Sequence, residues 1–378
     1  MSPRRVLFIA EGQLGDLLLL TPAIRAMKYT FPDATVSVLV LNRRGAQSPR
    51  ESHEPPRGSL MTSGQDTILG TNPHVSDITV LDRRALRDLP LRRKILAELR
   101  VVLSLRSHRY DTVICTFPED RFVLWAFLSG ASVRVGQQHQ AFSRLLTHRP
   151  VVQKQTRGVL EYYGDLVRAV GADMDSRATE YQIPREASEW AVAHLRSLGL
   201  ERVSRLLAVH PGATGDYKIW PPECYAAVLD ALDGSQGVRT LLFCGPGDVA
   251  VVEEITRRAR RPPTVVKTEG NLAHFAGLLG RCSLLISNDS GPRHLAAALG
   301  VPTITPFRKF HDREWKVYAD TPTCVALTPE GVCGFCPPDA CLDRIPDGEQ
   351  YGSYCLRMIR VEDVVASAMR ILSQIPGV

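Results

Sequence analysis

Val6-Leu7-Phe8-Ile9-Ala10 opens the chain, and the turn Gly12-Gln13-Leu14-Gly15-Asp16 follows it. A helical run over residues 17–30 comes next, with Pro22 inside it, then Thr35-Val36-Ser37-Val38-Leu39-Val40-Leu41. Short apolar runs bounded by Gly or by Phe31-Pro32-Asp33 read as strands buried on both faces. Strand, turn, helix and strand in about 40 residues make a βαβ unit, which implies a parallel sheet.

The alternation continues outward. Strands are predicted at 78–81 and 112–115, with a helix between them, and the pattern runs to about residue 150. Residues 42–75 are polar and rich in Pro, Gly and Ser, the composition of a long surface loop. Residues 172–188, which include Pro184, read as a linker. A second series follows. Strands are predicted at 206–210, 240–244, 264–267, 284–287 and 303–305, and helices at 187–198, 224–232, 249–259, 272–279 and 292–299. The expected fold class is α/β, with two doubly wound, Rossmann-like domains at residues 1–180 and 181–378 facing an interdomain cleft. Ligands in such sheets bind at the C-terminal ends of the strands.

Composition agrees. The 378 residues are 44% hydrophobic and 23% charged, ordinary for a soluble globular chain of about two domains. No apolar stretch reaches the roughly 18 residues of a membrane span. Met1-Ser2-Pro3-Arg4-Arg5 leads into a short apolar run ending at Glu11, unlike a secretory signal. A cytoplasmic protein is expected, in which the nine cysteines are thiols or metal ligands. The formal charge of +6 is uneven. Residues 83–109 carry nine Arg or Lys and two acids, and residues 121–160 carry six and none. Such runs are solvated helix faces or surfaces for an anionic partner: phosphate, nucleic acid or anionic lipid.

Three constellations carry chemistry. Asp16, after the first strand, is either a helix N-cap or a carboxylate placed to accept a proton from an acceptor hydroxyl. His210-Pro211-Gly212-Ala213-Thr214 leads to Lys218-Ile219-Trp220-Pro221, where Thr214 and Lys218 suit a phosphate and Trp220 suits an apolar anchor. Asn288-Asp289-Ser290-Gly291-Pro292 opens a helix whose free N–H groups form an anion site, although Asp289 and Ser290 could equally cap it. No Gly-Lys-Ser/Thr phosphate loop is present, and Gly12-Gln13-Leu14-Gly15 is not the dinucleotide fingerprint, which disfavours a kinase or a nicotinamide enzyme.

Several ordered stretches together resemble glycosyltransferase family 9, the lipopolysaccharide heptosyltransferases. They are Gly15-Asp16-Leu17-Leu18-Leu19-Leu20-Thr21-Pro22-Ala23, Asn72-Pro73-His74-Val75-Ser76-Asp77, Tyr110-Asp111-Thr112-Val113-Ile114, Pro211-Gly212-Ala213, Lys218-Ile219-Trp220-Pro221, and residues 288–300. The resemblance implies the GT-B fold, with an acceptor on the N-terminal domain and a nucleotide-sugar on the C-terminal one. It implies transfer of heptose from ADP-heptose to an anionic glycolipid, the lipopolysaccharide core. Asp16, beside Gly15, matches the family's base, and Lys218 its phosphate-binding lysine. Asp289 matches the residue that contacts the donor sugar, and Ser290, Gly291 and His294 match the donor-phosphate loop. Thr305-Pro306-Phe307-Arg308-Lys309 departs from the family pattern, where a glycine usually stands.

Cys333, Cys336, Cys341 and Cys355 have the spacing of a structural tetrathiolate zinc or iron site, or are free thiols in the Cys-rich loop at 333–355. No cofactor is expected for catalysis. The expected protein is an inverting glycosyltransferase with peripheral contact at the inner membrane and no nucleic-acid partner. Its rivals are a family 9 transferase with another sugar or a protein acceptor, and a non-catalytic nucleotide-sugar-binding scaffold. Retention of both Asp16 and Lys218 favours the enzyme.

Overall fold

The computed structural model describes residues 2–42, 61–63, 68–82, 89–138, 141–151, 158–233, 235–268, 270–309, 318, 321–331, 334–335 and 343–374. The chain divides into two compact units, the first closing at Tyr181 and the second running on from Gln182.

In the first unit the strands are β1 (Arg5–Glu11), β2 (Thr35–Asn42), β3 (Met61–Ser63), β4 (Asp77–Asp82), β5 (Thr112–Cys115) and β6 (Val133–Val135). They form one sheet in the order β3-β4-β2-β1-β5-β6, parallel except for the β3–β4 pair. The α-helices among the described residues of this unit are α1 (Leu14–Thr30), α2 (Leu91–Ser107), α3 (Asp120–Leu128) and α4 (Val159–Arg168). Val6 to Ala10 are all buried, as a central strand covered on both faces requires. Residues 17–27 of α1 are buried all round. A helix apolar on every side must lie inside the fold.

Pro22 sits within α1 and has no N–H to give the carbonyl four residues back. The neighbouring hydroxyl takes over: Thr21 Oγ1 donates to Leu18 O at 2.7 Å. The same oxygen accepts the Glu180 N–H at 3.0 Å. Buried Arg25 donates to the carbonyls of Ser176 and Ala178 and pairs with Glu180. Residues 176–180 are therefore strapped to α1, where composition alone suggested a linker. Residues 42–75 also differ from a plain surface loop. Met61–Ser63 pair with β4 as an edge strand, and Ile68, Leu69 and Asn72 are buried. The rest of that stretch up to Thr67 lies outside the described residues.

In the second unit the strands are β7 (Arg205–His210), β8 (Val238–Cys244), β9 (Thr264–Lys267), β10 (Leu284–Ser287), β11 (Thr303–Pro306) and β12 (Cys324–Leu327). Their order is β12-β11-β10-β7-β8-β9, all parallel. The helices are α5 (Arg185–Ser197), α6 (Pro222–Leu232), α7 (Val249–Arg258), α8 (Leu272–Leu279), α9 (Gly291–Ala298), α10 (Tyr354–Arg357) and α11 (Val361–Gln374). Trp220, fully buried, lies in the core with Leu207, Tyr225, Ile286 and Ile371, so it is the apolar anchor its position suggested. Among the described residues, no helix is long and apolar enough to cross a membrane.

Candidate active site

Each sheet reverses direction beside its first strand. In the second unit β7 lies between β8 and β10, and Ser287 of β10 stands beside His210 of β7. The turns after β7 and β10 thus flank the topological switch point, where doubly wound sheets bind ligands. In the first unit β1 lies between β2 and β5, so the turn carrying Asp16 leaves the equivalent point.

One buried side chain ties the second unit's turns together. Asn288, fully buried at the end of β10, donates from Nδ2 to Pro211 O. Its Oδ1 accepts the Trp220 N–H at 2.9 Å and the Tyr225 O–H at 2.8 Å. The turn after β7, the Lys218–Trp220 segment and the start of α9 are held at one point by a single amide. Gly212 is required there, because a Cβ would run into the Asp248 carboxylate. That carboxylate accepts the Gly245 N–H at 3.0 Å and faces His210 Nε2 at 3.6 Å. Thr214 is exposed, and Lys218 is half-buried with its ammonium 6.0 Å from the Tyr217 ring centre.

Ser290 occupies the N-cap position of α9 in an extended conformation, but its side chain does not cap. Its hydroxyl points to the carbonyls of Gly212 and Asn288, each 3.4 Å away. Gly291 and Pro292 form the first turn, with its N–H groups and the positive end of the helix dipole. Asp289 is ion-paired with Arg293 Nε at 2.9 Å. Arg293 is itself buried, its guanidinium stacked 4.7 Å from the Phe307 ring centre.

His294 is buried, and its Nδ1 shares a hydrogen bond of 3.0 Å with the Tyr318 hydroxyl. Burial, aided by the charge of Arg293, holds its pKa well below the ordinary histidine value. It is a neutral imidazole at pH 7, with one ring N–H to donate and one ring nitrogen to accept. Arg293 and Asn288 are the residues that motif reading passes over. Both stand within the residue 288–300 stretch, but only packing reveals what each one holds.

In the first unit Gly15 and Asp16 lie inside the first turn of α1, which begins three residues earlier than apolar periodicity indicates. The N-cap is Gln13, so Asp16 is not the cap; it is a half-buried carboxylate at the positive end of the helix. Tyr163 of α4 is buried nearby. Burial first, then the charges of Asp16, Tyr162 and Glu11, keep its phenol well above the usual range and therefore protonated. Glu11, buried at the end of β1, is a second carboxylate at this corner.

Of the four cysteines, Cys333, Cys336 and Cys341 lie outside the described residues. Cys355 is buried in α10. Among the described residues, no group of three or more His, Cys, Asp or Glu is arranged to hold a metal ion.

A family model described as glycosyltransferase family 9 (heptosyltransferase) matches residues 99–333. The lipopolysaccharide heptosyltransferase 3 of Escherichia coli (strain K12) is 24% identical over 381 aligned residues, covering 95% of this chain and 96% of that one. A family 9 glycosyltransferase structure from Veillonella parvula DSM 2008 covers 99% of each chain with a TM-score of 0.77 and 22% identity. The E. coli heptosyltransferase WaaC with ADP covers 97% of this chain and 99% of its own, with a TM-score of 0.68 and 18% identity. With two doubly wound sheets of the GT-B kind and a family model spanning more than half of its length, the chain belongs to glycosyltransferase family 9 and is a glycosyltransferase.

Proposed function

We propose that the protein is an inverting heptosyltransferase that moves heptose from ADP-heptose to an anionic glycolipid of the lipopolysaccharide core. The donor belongs to the second unit and the acceptor to the first. The observation that carries this reading is the Asn288 junction, which fixes the Lys218 segment and the open start of α9 at one switch point. A diphosphate there would meet a lysine and a helix N-terminus together. The names of the relatives supply the sugar, and WaaC, whose structure contains ADP, supplies the nucleotide.

Asp16 takes the proton from the acceptor hydroxyl as the oxygen attacks the anomeric carbon, with Gly15 beside it at the helix start. The bond from that carbon to the diphosphate breaks, and negative charge grows on the leaving oxygen. Lys218, Thr214 and the N–H groups at Ser290 and Gly291 stabilise that charge. Asp289, oriented by Arg293, hydrogen-bonds the sugar, and neutral His294 adds a hydrogen bond near the phosphates. No cofactor takes part in the transfer.

The test is release of ADP from ADP-heptose, with and without the glycolipid. Acceptor-dependent release is expected, and Asp16→Asn should lower it by roughly two to four orders of magnitude with ADP affinity little changed. Turnover of Asp16→Asn within about threefold of wild type would leave Asp16 as a helix-end charge only. Acceptor-dependent release from another sugar nucleotide alone would replace the donor assignment.

The four cysteines at 333, 336, 341 and 355 are proposed to hold one structural zinc or iron. Four thiolates suit either ion and leave no open position for chemistry. Elemental analysis after chelator-free, reducing purification should find about one ion per chain. Metal-free protein of unchanged stability would remove the proposal.

A further inference from the structure

Helix α2 has two apolar faces. Ala97, Val101, Val102 and Leu105 form the one that packs inward. Leu91, Ile95, Leu99 and Leu103 recur every four residues and form a second stripe, 73%, 53%, 50% and 63% exposed. Leu96 widens it, at 57% exposed. Among the described residues nothing covers these side chains, although a surface helix normally turns one apolar stripe to the core and polar residues outward.

Among the described residues, the exposed charges of α2 that border the stripe have one sign. Arg92, Arg93, Arg100 and Arg106 are exposed on the same helix. The only acid of α2, Glu98, is turned inward: it accepts the Trp125 Nε1–H at 2.8 Å and pairs with Arg121 at 3.5 Å. At the C-terminal end Arg106 reaches the carbonyl of Leu128, beside Phe127 and Leu128, which are themselves 45% and 43% exposed. An apolar stripe rimmed by guanidinium groups fits one kind of surface, in which hydrocarbon lies directly beneath anionic headgroups. A second copy of the chain fits poorly, because a two-fold interface sets a patch against itself and would bring these arginines together.

We infer that α2 is a membrane-docking helix that lies in the interface of an anionic phospholipid bilayer, leucines down and arginines at headgroup level. Docking would hold the first unit at the surface where a lipid-linked acceptor is found. The inference is separate from the donor and acceptor assignment, since vesicle binding is measured without either substrate.

The experiment is co-sedimentation of the full chain with vesicles of equal parts phosphatidylglycerol and phosphatidylcholine, and with pure phosphatidylcholine. Binding is expected to the anionic vesicles and to weaken with salt, because exposed charges are screened. Ile95→Ser with Leu99→Ser should reduce partitioning by about tenfold or more, through lost apolar burial. Arg92→Gln, Arg93→Gln and Arg100→Gln together should reduce it by roughly a hundredfold, at about fivefold per cation. All these side chains are exposed, so both variants should melt at the wild-type temperature, and turnover on a detergent-dispersed acceptor should be unchanged. Equal binding of wild type to both vesicle types would overturn the inference. So would wild-type binding by both variants, or a dimer in sedimentation velocity that dissolves on the serine substitutions.

Discussion

Asn288 has no reactive atom to offer, yet at the scale of single residues it organises the second unit's site. Truncation to Ala would leave the Trp220 N–H, the Tyr225 hydroxyl and the Pro211 carbonyl buried without their partner. Each orphaned group costs about 1–3 kcal/mol. Tyr225→Phe removes one of the three bonds and should cost about 1 kcal/mol. Lys218→Ala should reduce transition-state stabilisation by about 2–4 kcal/mol, the range for one preorganised donor. If Asn288 acts by holding the lysine's segment in place, the two losses in turnover must not add. The double variant, followed by kcat/KM with folding checked by circular dichroism, should lose less than the sum of the singles. Strict additivity would make Asn288 a stability residue alone. The sequence shows an Asn at the end of a strand but not its three partners, which lie 63 to 77 positions away. Asp16 was easier to read, because a carboxylate just after the first strand of a βαβ unit has few places to be.

At the scale of elements, strand ends and helix starts place two histidines in dry surroundings. His210 closes β7, and burial lowers its pKa even though Asp248 opposes the shift. His294, in α9, is lowered as well, by burial first and then by the charge of Arg293. Both are neutral in the fold and ordinary, near 6.5, in the unfolded chain. Below that value the unfolded state binds more protons, so stability falls as pH drops, by up to about 1.4 kcal/mol per pH unit for each histidine. Above it their contribution is complete. Urea melts should therefore be constant from neutral to mildly alkaline pH and lose midpoint between about pH 6.5 and 5. His294→Asn, whose amide can stand in for Nδ1 toward Tyr318, should remove part of that slope. An unchanged slope in His294→Asn would show that the imidazole is charged in the fold. The long β1, α1 and β2 were legible because burial on both faces leaves an apolar run. The short edge strands β3 and β6 were not, because Met61-Thr62-Ser63 and Val133-Arg134-Val135 hold no continuous apolar run, and β12 went unread as well. The segment before residue 181 read as a linker because its anchors, Arg25 and Thr21, sit in a helix more than 150 positions earlier.

The two units repeat one plan: a six-stranded sheet with its first strand near the centre, and a turn leaving the point where strand order reverses. In the function proposed above each unit has its own place for a substrate, and the chemistry of the two places differs. The turns after β7 and β10 offer Lys218 and an open helix start, which suit a diphosphate. The turn after β1 offers two carboxylates, Glu11 and Asp16, with a protonated phenol, which repel a diphosphate and suit a hydroxyl acceptor. Hydrogen exchange tests this division directly. Saturating ADP should slow exchange at residues 211–220 and 288–294 and leave residues 11–16 at their free rates, because a ligand protects the segments it orders. The delipidated acceptor should do the reverse. Lys218→Ala should abolish most ADP protection at the start of α9 as well as at its own segment, since both sides of one diphosphate are lost together. Protection by ADP that appears first at residues 11–16 would invert the assignment and make Asp16 a donor-side residue.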